Sequence, residues 1–299
     1  MNAIKTAENA MKDVYLGVLG NQLDNNICPI LAQINRTTSD IYGKEIIKIP
    51  NWQGYDHEYP TMKLDLATII GKIELSDKAI RCSQNSAGAF VNLLNSEMEN
   101  LLRDTEKNIK DSFYSHTQPF IEVEGAEIIN PYHIALCGIQ EIFSQSQFLY
   151  GLEREKYKEL NPLTKEINYL NPYEIQEIID NHNDQVNFMI CSPATKRKYL
   201  ESQRREPIEI KEMGCFKCMT FNNYIPIVTH RDIEDDVIYF IDTNDFKLHQ
   251  LCDWMWIEES DGHILSQASG LPKYEATLVK YGNIICENPH KQIKIKIKG

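Results

Sequence analysis

A chain of 299 residues, 42% hydrophobic and 25% charged, carries enough apolar material for one large domain or two modest ones, which excludes wholesale disorder. Its net charge of −12 has the wrong sign for non-specific nucleic-acid binding, and no run of about eighteen apolar residues offers a membrane span. Lys5, Glu8, Lys12 and Asp13 interrupt any apolar leader, so a soluble cytosolic chain is expected. The eight cysteines are scattered, several inside apolar runs such as FMICSP and NIICEN, and read as buried free thiols.

The chain opens on helical spacing, with Ala7, Met11, Val14, Tyr15 and Val18 on one face of a segment of mixed charge. NNICPILAQINRTTSD then reads as an extended arm. IYGKEIIKI is a candidate strand, PNWQGYDHEYP a loop, and TMKLDLATIIGKIEL a second strand in which Met62, Leu64 and Leu66 alternate with Lys63 and Asp65. Together they predict a long hairpin with few apolar residues in its outer part. The strongest helix signal spans residues 84–116, with Ala87, Val91, Leu94, Met98, Leu101 and Ile109 on one stripe.

Three capped helices are expected next: one opening at Asn130-Pro131, one at Asn171-Pro172 with Glu174 at the capping-box position, and one at Ser192-Pro193. QVNFMIC lies between the last two as a short strand, so the middle reads as an α/β layer. From about Glu206 onward strands dominate, with turn chemistry at Thr243-Asn244-Asp245, Ser260-Asp261-Gly262 and Gly282-Asn283. QIKIKIKG alternates, with Ile293, Ile295 and Ile297 on one face and Lys294, Lys296 and Lys298 on the other.

Catalytic signatures are sparse. Cys215 and Cys218 in CFKC, with His249 and Cys252 in HQLC, have spacings that suit zinc or a redox pair. They sit in strand-like sequence rather than in a Gly-rich knuckle, and the bland alternative is core and surface cysteines. None of the eight histidines falls in an H-x-x-x-H pattern, and no phosphate-binding or nucleophile-elbow glycine motif is present. The acidic run Asp232 to Asp236 reads as a solvated turn, and Lys196, Arg197, Lys198, Arg204 and Arg205 as the polar side of a helix. Trp254 and Trp256 point the same way along a strand and suit core or subunit packing.

The order of these elements resembles the major capsid proteins of tailed phages, the Hong Kong-ninety-seven-type fold that encapsulins share. DIYGKEIIKI…MKLDLATIIGKIEL resembles the extended hairpin loop, GAFVNLLNSEMENLLRDTEKNIKDSF the spine helix, VNFMICSPATKRKYLES the strand and helix of the axial domain, and YEATLVKYGNIICENPHKQIKI the closing strands. The resemblance implies an α+β fold with an N-terminal arm (1–40), an extended hairpin loop (41–75), a peripheral domain (76–124 and 250–299, with the spine helix at 84–116) and an axial domain (125–249). It implies that the last strands return to the peripheral domain, with YGNIICENP a long strand of its sheet and QIKIKIKG the final edge of that sheet or a contact strand.

It further implies a virion shell subunit assembled in the bacterial cytoplasm, forming hexamers and pentamers around phage double-stranded DNA, which it touches non-specifically at most. Scaffold, portal and decoration proteins would be partners, with no membrane, cofactor, metal or catalytic residue. Some members crosslink a hairpin lysine to an asparagine; Lys44, Lys48 and Lys63 on one side and Asn283 or Asn288 on the other are available, with no pair singled out. Alternatives are an encapsulin-like compartment shell and a zinc-binding or redox enzyme using Cys215, Cys218, His249 and Cys252.

Overall fold

The computed structural model describes residues 16–38, 45–48, 61–64, 66–83, 87–116, 136–203 and 209–298, together with Lys5, Glu8, Met11 and Lys12. The apolar stripe over 84–116 becomes a 27-residue helix, Ala87–Phe113, about 40 Å long at 1.5 Å per residue. Leu94, Met98, Leu101 and Ile109 from that stripe are buried. The helix lies on strand β4 (Ala67–Ser76), whose burial alternates along its length. It can approach because residue 71 is glycine. A Cβ there would stand 2.6 Å from Leu101 Cδ1 and 2.7 Å from Thr105 Oγ1.

Ahead of that strand, helix α1 (Leu16–Asn25) buries Leu19 and Leu23. Val18, expected on the buried face, is exposed. Ala7, Val14 and Tyr15 lie outside the described residues. The segment after α1 is an arm folded back on its own chain: Ile27, Cys28, Ile30 and Ile34 are buried, and β1 (Asn35–Thr38) adds itself to a sheet edge. Strands β2 (Glu45–Lys48) and β3 (Thr61–Leu64) pair antiparallel as a hairpin. The expected hairpin of 41–75 is therefore shorter, because β4 leaves it to join the main sheet.

Helix α2 (Asp77–Ser83) precedes the spine helix, α3. A helix opening at Asn130 is expected from sequence. Residues 130–135 lie outside the described residues, and the helix seen after them, α4, covers only Ile139–Ile142, behind an extended Gly138. The small ladder β5 (Phe148–Leu149) and β6 (Leu152–Glu153) follows, then β7 (Leu163–Ile167). Helices α5 (Pro172–His182) and α6 (Pro193–Ser202) begin where their Asn-Pro and Ser-Pro caps place them. Asn171 Oδ1 accepts from Tyr173 N and Ser192 Oγ from Thr195 N. Between them runs β8 (Phe188–Cys191).

The remaining strands are β9 (Ile210–Met213), β10 (Phe216–Phe221), β11 (Ile225–Thr229), β12 (Val237–Ile241), β13 (Phe246–Gln250), β14 (Met255–Trp256), β15 (Ser266–Gln267), β16 (Lys273–Cys286) and β17 (Ile293–Ile297). They form two sheets. In the peripheral sheet, β16 is the axis: β4 pairs along ten of its residues, β15, β14 and β13 pair with it as well, and β1 lies beyond β13. The axial sheet has seven strands in the order β7-β17-β12-β8-β11-β10-β9.

This corrects one expectation. QIKIKIKG does not close the peripheral sheet; β17 sits inside the axial sheet, parallel to β7 and antiparallel to β12. The alternation is as read, and it serves a sheet covered on both faces. Ile293 and Ile295 join Ile175, Ile179 and Tyr199 of α5 and α6 in one core. The opposite face, through Phe188, Ile190, Tyr239 and Ile241, joins the larger core that contains the spine helix. Central strands β8 and β12 are buried at every residue for the same reason.

Candidate functional site

Long-range polar contacts fix the arm and the joint between the two sheets. The arm is held by two carboxylates. Asp24, at the end of α1, takes Lys280 Nζ at 2.9 Å and Trp254 Nε1 at 3.0 Å on Oδ1, while Arg36 holds Oδ2 at 3.0 Å. Lys280 is on the central strand β16 and its side chain is only 2% exposed. It also lies over the Trp254 ring, 5.6 Å from the centroid. A buried ammonium needs such a partner, so the arm supplies the charge that makes Lys280 tolerable. The second carboxylate, Glu8, is buried, accepts from the Ile264 and Leu265 amides and pairs with His263 Nδ1 at 2.8 Å. The Glu8 hydrogen bond and charge, helped by Asp261, hold the His263 imidazolium above its ordinary value. Trp256 Nε1 donates to the Met11 carbonyl. Both tryptophans are thus core residues that seat the arm.

The two sheets are joined by strand connections that cross side by side. β12 passes to β13 through Asp242–Asp245, and β16 passes to β17 through Glu287–Gln292. Gln292, fully buried, binds both crossings: its Oε1 accepts from Asp242 N at 2.9 Å, and its Nε2 donates to Asp245 Oδ2 and the Asn288 carbonyl, both at 3.1 Å. Asp245 Oδ1 accepts from Asn288 Nδ2, and Asn187 Nδ2 reaches Thr243 Oγ1. Burial, with Asp245 nearby, pushes the Asp242 carboxyl up.

A further contact lies at the end of the spine helix. Gln140 Nε2 donates to the Tyr114 carbonyl and, at 2.8 Å, to that of Asp232. His230 stacks on Tyr114 with centroids 4.4 Å apart. Asp111, His230 and Asp232 form the one group of three among the described residues whose ligating atoms lie within 4.8 Å of one another. Arg231 already bridges its two carboxylates at 3.3 and 3.5 Å, so it is an ion-pair knot tying helix to sheet. Burial pushes the His230 imidazole down, against the pull of Asp232 and Asp111.

The zinc or redox alternative does not assemble. Cys215, Cys218, His249 and Cys252 form no group of three with converging ligand atoms. Cys218 is on β10 of the axial sheet and His249 on β13 of the peripheral sheet. Cys215 Sγ faces Asn26 Oδ1, and burial pushes the Cys218 thiol up, away from the thiolate that metal binding or redox chemistry needs. In the acidic run, Asp235 accepts from Ser192 Oγ and Asp236 pairs with Lys198, so these residues secure the start of α6. Arg204 and Arg205 lie outside the described residues, as do Lys44 and the side chains of Lys48 and Lys63. Asn283 is buried and its Oδ1 accepts from Cys137 N, and Asn288 is engaged by Asp245. The Lys280, Gln292 and His263 contacts were not singled out from sequence. Lys280 in a strand of otherwise apolar neighbours was the one available signal.

No family model matches the sequence, and no curated protein matches it. Solved structures do, along nearly the whole chain. The SrpI encapsulin of Synechococcus elongatus superposes with a TM-score of 0.52 at 11% identity, covering 93% of this chain and 94% of its own. The capsid of cyanophage A-1(L) gives 0.54 at 8% identity, with 95% and 93% covered. The procapsid of satellite phage P4 gives 0.51 at 12%, with 96% and 92% covered. No helix among the described residues is long and apolar enough to cross a membrane. With its arm, hairpin, spine helix and two joined sheets, the chain has the Hong Kong-ninety-seven-type fold common to tailed-phage major capsid proteins and encapsulins.

Proposed function

We propose that this chain is the major capsid protein of a tailed phage, a non-enzymatic subunit that assembles into the hexamers and pentamers of an icosahedral shell around double-stranded DNA. The observation that carries the reading is the extent of the likeness: more than nine-tenths of this chain and of the capsid subunits are covered. In this reading β2 and β3 reach over a neighbour, the axial sheets meet around each capsomer axis, and many weak contacts fixed by symmetry sum to a stable shell. The acidic balance suits a wall that must not bind its packaged DNA. Scaffold, portal and decoration proteins are the partners it implies, and the virion is its location.

An encapsulin-like compartment is the second reading, supported by the SrpI match. Negative-stain electron microscopy of the recombinant protein at high concentration, beside sizing chromatography, tests both. Closed shells, tubes or capsomer rings support a shell subunit; shells filled with a copurifying protein and free of DNA favour the compartment. A monomer that stays monomeric on coexpression with neighbouring genes overturns both.

A further inference from the structure

Among the described residues two lysines, Lys280 and Lys294, are buried, and their surroundings differ. Lys280 has Asp24 at 2.9 Å. Lys294, on β17, is 8% exposed, yet its Nζ has only a long contact to the Phe143 carbonyl at 3.4 Å and the face of Tyr239, 5.4 Å from the ring centroid. No carboxylate reaches it among the ion pairs of the described residues. Buried charges are as a rule paired or neutralised, and Lys294 feels one carboxylate, Glu234, only at a distance beyond an ion pair.

It lines an open cleft of about 930 Å³ between β17 and residues 143–164. That volume is within the range of small-molecule sites. Its wall carries Lys294, Lys296, Lys158 and Arg154 against two carboxylates, Glu155 and Glu234, in a protein of net charge −12. The four cations are graded in depth: Lys294 and Arg154 are buried, Lys296 is half-buried and Lys158 is exposed. Arg154 is fixed by donating to the carbonyls of Leu160, Glu141 and Ile142. It therefore builds the wall and lends it charge rather than moving. Lys294 and Lys296, two residues apart on one strand, sit on the same face and repel. Burial, with Lys296 beside it, pushes the Lys294 ammonium down against the pull of Glu234, a condition that an anion between the two lysines would relieve. Phe143 and Pro162 are the apolar residues of the wall, which argues against a lipid.

We infer that this cavity binds a small phosphate-bearing anion, of the size of a nucleotide or sugar phosphate, with its phosphates on Lys294, Lys296 and Lys158. Lysines act as point charges for phosphate, and three at graded depth suit a ligand with more than one negative oxygen. Glu155 and Glu234, both exposed, would accept from its hydroxyls. The site is independent of the shell reading: it lies within one subunit.

Isothermal titration calorimetry of the full chain with inorganic pyrophosphate, with ADP and with a short oligothymidylate tests it. The expected result is saturable binding of pyrophosphate or ADP at one site per chain. Affinity falls about tenfold or more in Lys296→Ala and in Lys294→Met and is unchanged in Lys165→Ala on neighbouring β7. Lys158→Ala, at the exposed rim, weakens binding with the fold intact, should Lys294→Met prove unstable. No saturable heat with either small probe up to about 10 mM, equal affinity in wild type and Lys158→Ala, or binding of the oligonucleotide alone would overturn the inference. The titration is read on the subunit whatever it assembles into, so failure to form shells does not bear on it.

Discussion

Lys280 and Asp24 form an ion pair in which the lysine belongs to the central strand of the peripheral sheet and the aspartate to the arm. The pair makes the arm's seat selective: a segment without a carboxylate at this point would leave a charge stranded in the core. Asp24→Ala is expected to destabilise the fold by about 3–5 kcal/mol, the cost of breaking a buried pair from one side. Asp24→Ala combined with Lys280→Met should recover most of it. Urea denaturation of the three proteins checks this, and equal losses in the single and double variants would show that the charge is not the issue.

Two glycines mark close approaches, and their neighbours differ in compliance. At Gly71 an added Cβ meets the end of the Leu101 side chain and a threonine hydroxyl, whereas at Gly138 it would stand 1.9 Å from the Ser115 backbone carbonyl. Gly71→Ala should cost about 1–3 kcal/mol, and Gly138→Ala more, because a backbone must shift. Gly138 has φ −73° and ψ 144°, open to any residue, so the cost there is purely one of space. Thermal melts of both variants order the two costs.

The hold of Glu8 on His263 should depend on pH in one direction. The pair lifts the folded-state value above the ordinary one near 6.5. Its contribution is therefore complete below about 6.5 and is lost as pH rises through the lifted value. Hydrogen exchange of the Ile264 and Leu265 amides, which donate to Glu8, reports it locally. Protection corrected for intrinsic rate should fall with rising pH in the wild type and be flat in His263→Gln.

Gln292→Leu removes the side chain that binds both sheet crossings. The Asp242 amide and the Asp245 carboxylate lose partners in a buried place, and each unpaired group costs about 1–3 kcal/mol. A lower melting temperature is expected; a melt unchanged from wild type would mean that water replaces the amide without loss.

Cys215, Cys218, His249 and Cys252 do not converge, so added zinc should leave the unfolding midpoint where it is. A ligand that binds only the folded chain would raise it. Stoichiometric zinc in the purified protein, measured by atomic emission, would contradict the geometry.

Local rules read well here and long-range ones did not. The stripe from Leu94 to Ile109 and the Asn171 and Ser192 caps specify their helices through neighbours a few residues away, and the sequence displays those neighbours directly. The period of β17 states which residues share a face, but an isolated strand says nothing about its sheet, so Ile293–Ile297 was placed in the wrong one. The helix expected to open at Asn130-Pro131 begins outside the described residues, and the extended backbone at Gly138, close against Ser115, is a tertiary contact that no local signal announces. Lys280 and Gln292 are ordinary polar letters in the sequence; their importance arises only when the fold brings them to Asp24, 256 residues away, and to Asp242, 50 residues away.

The position of β17 also bears on how the chain reaches this structure. Among the described residues β7 pairs with the axial sheet only through β17, so Leu163 has no strand partner until Ile293 is in place. Until then β12 presents an unpaired edge of buried apolar residues. Such late, distant pairing slows folding and leaves the intermediate open to sticking to its own kind. Association at that stage would be indiscriminate, and insertion of β17 ends it by covering the β12 edge.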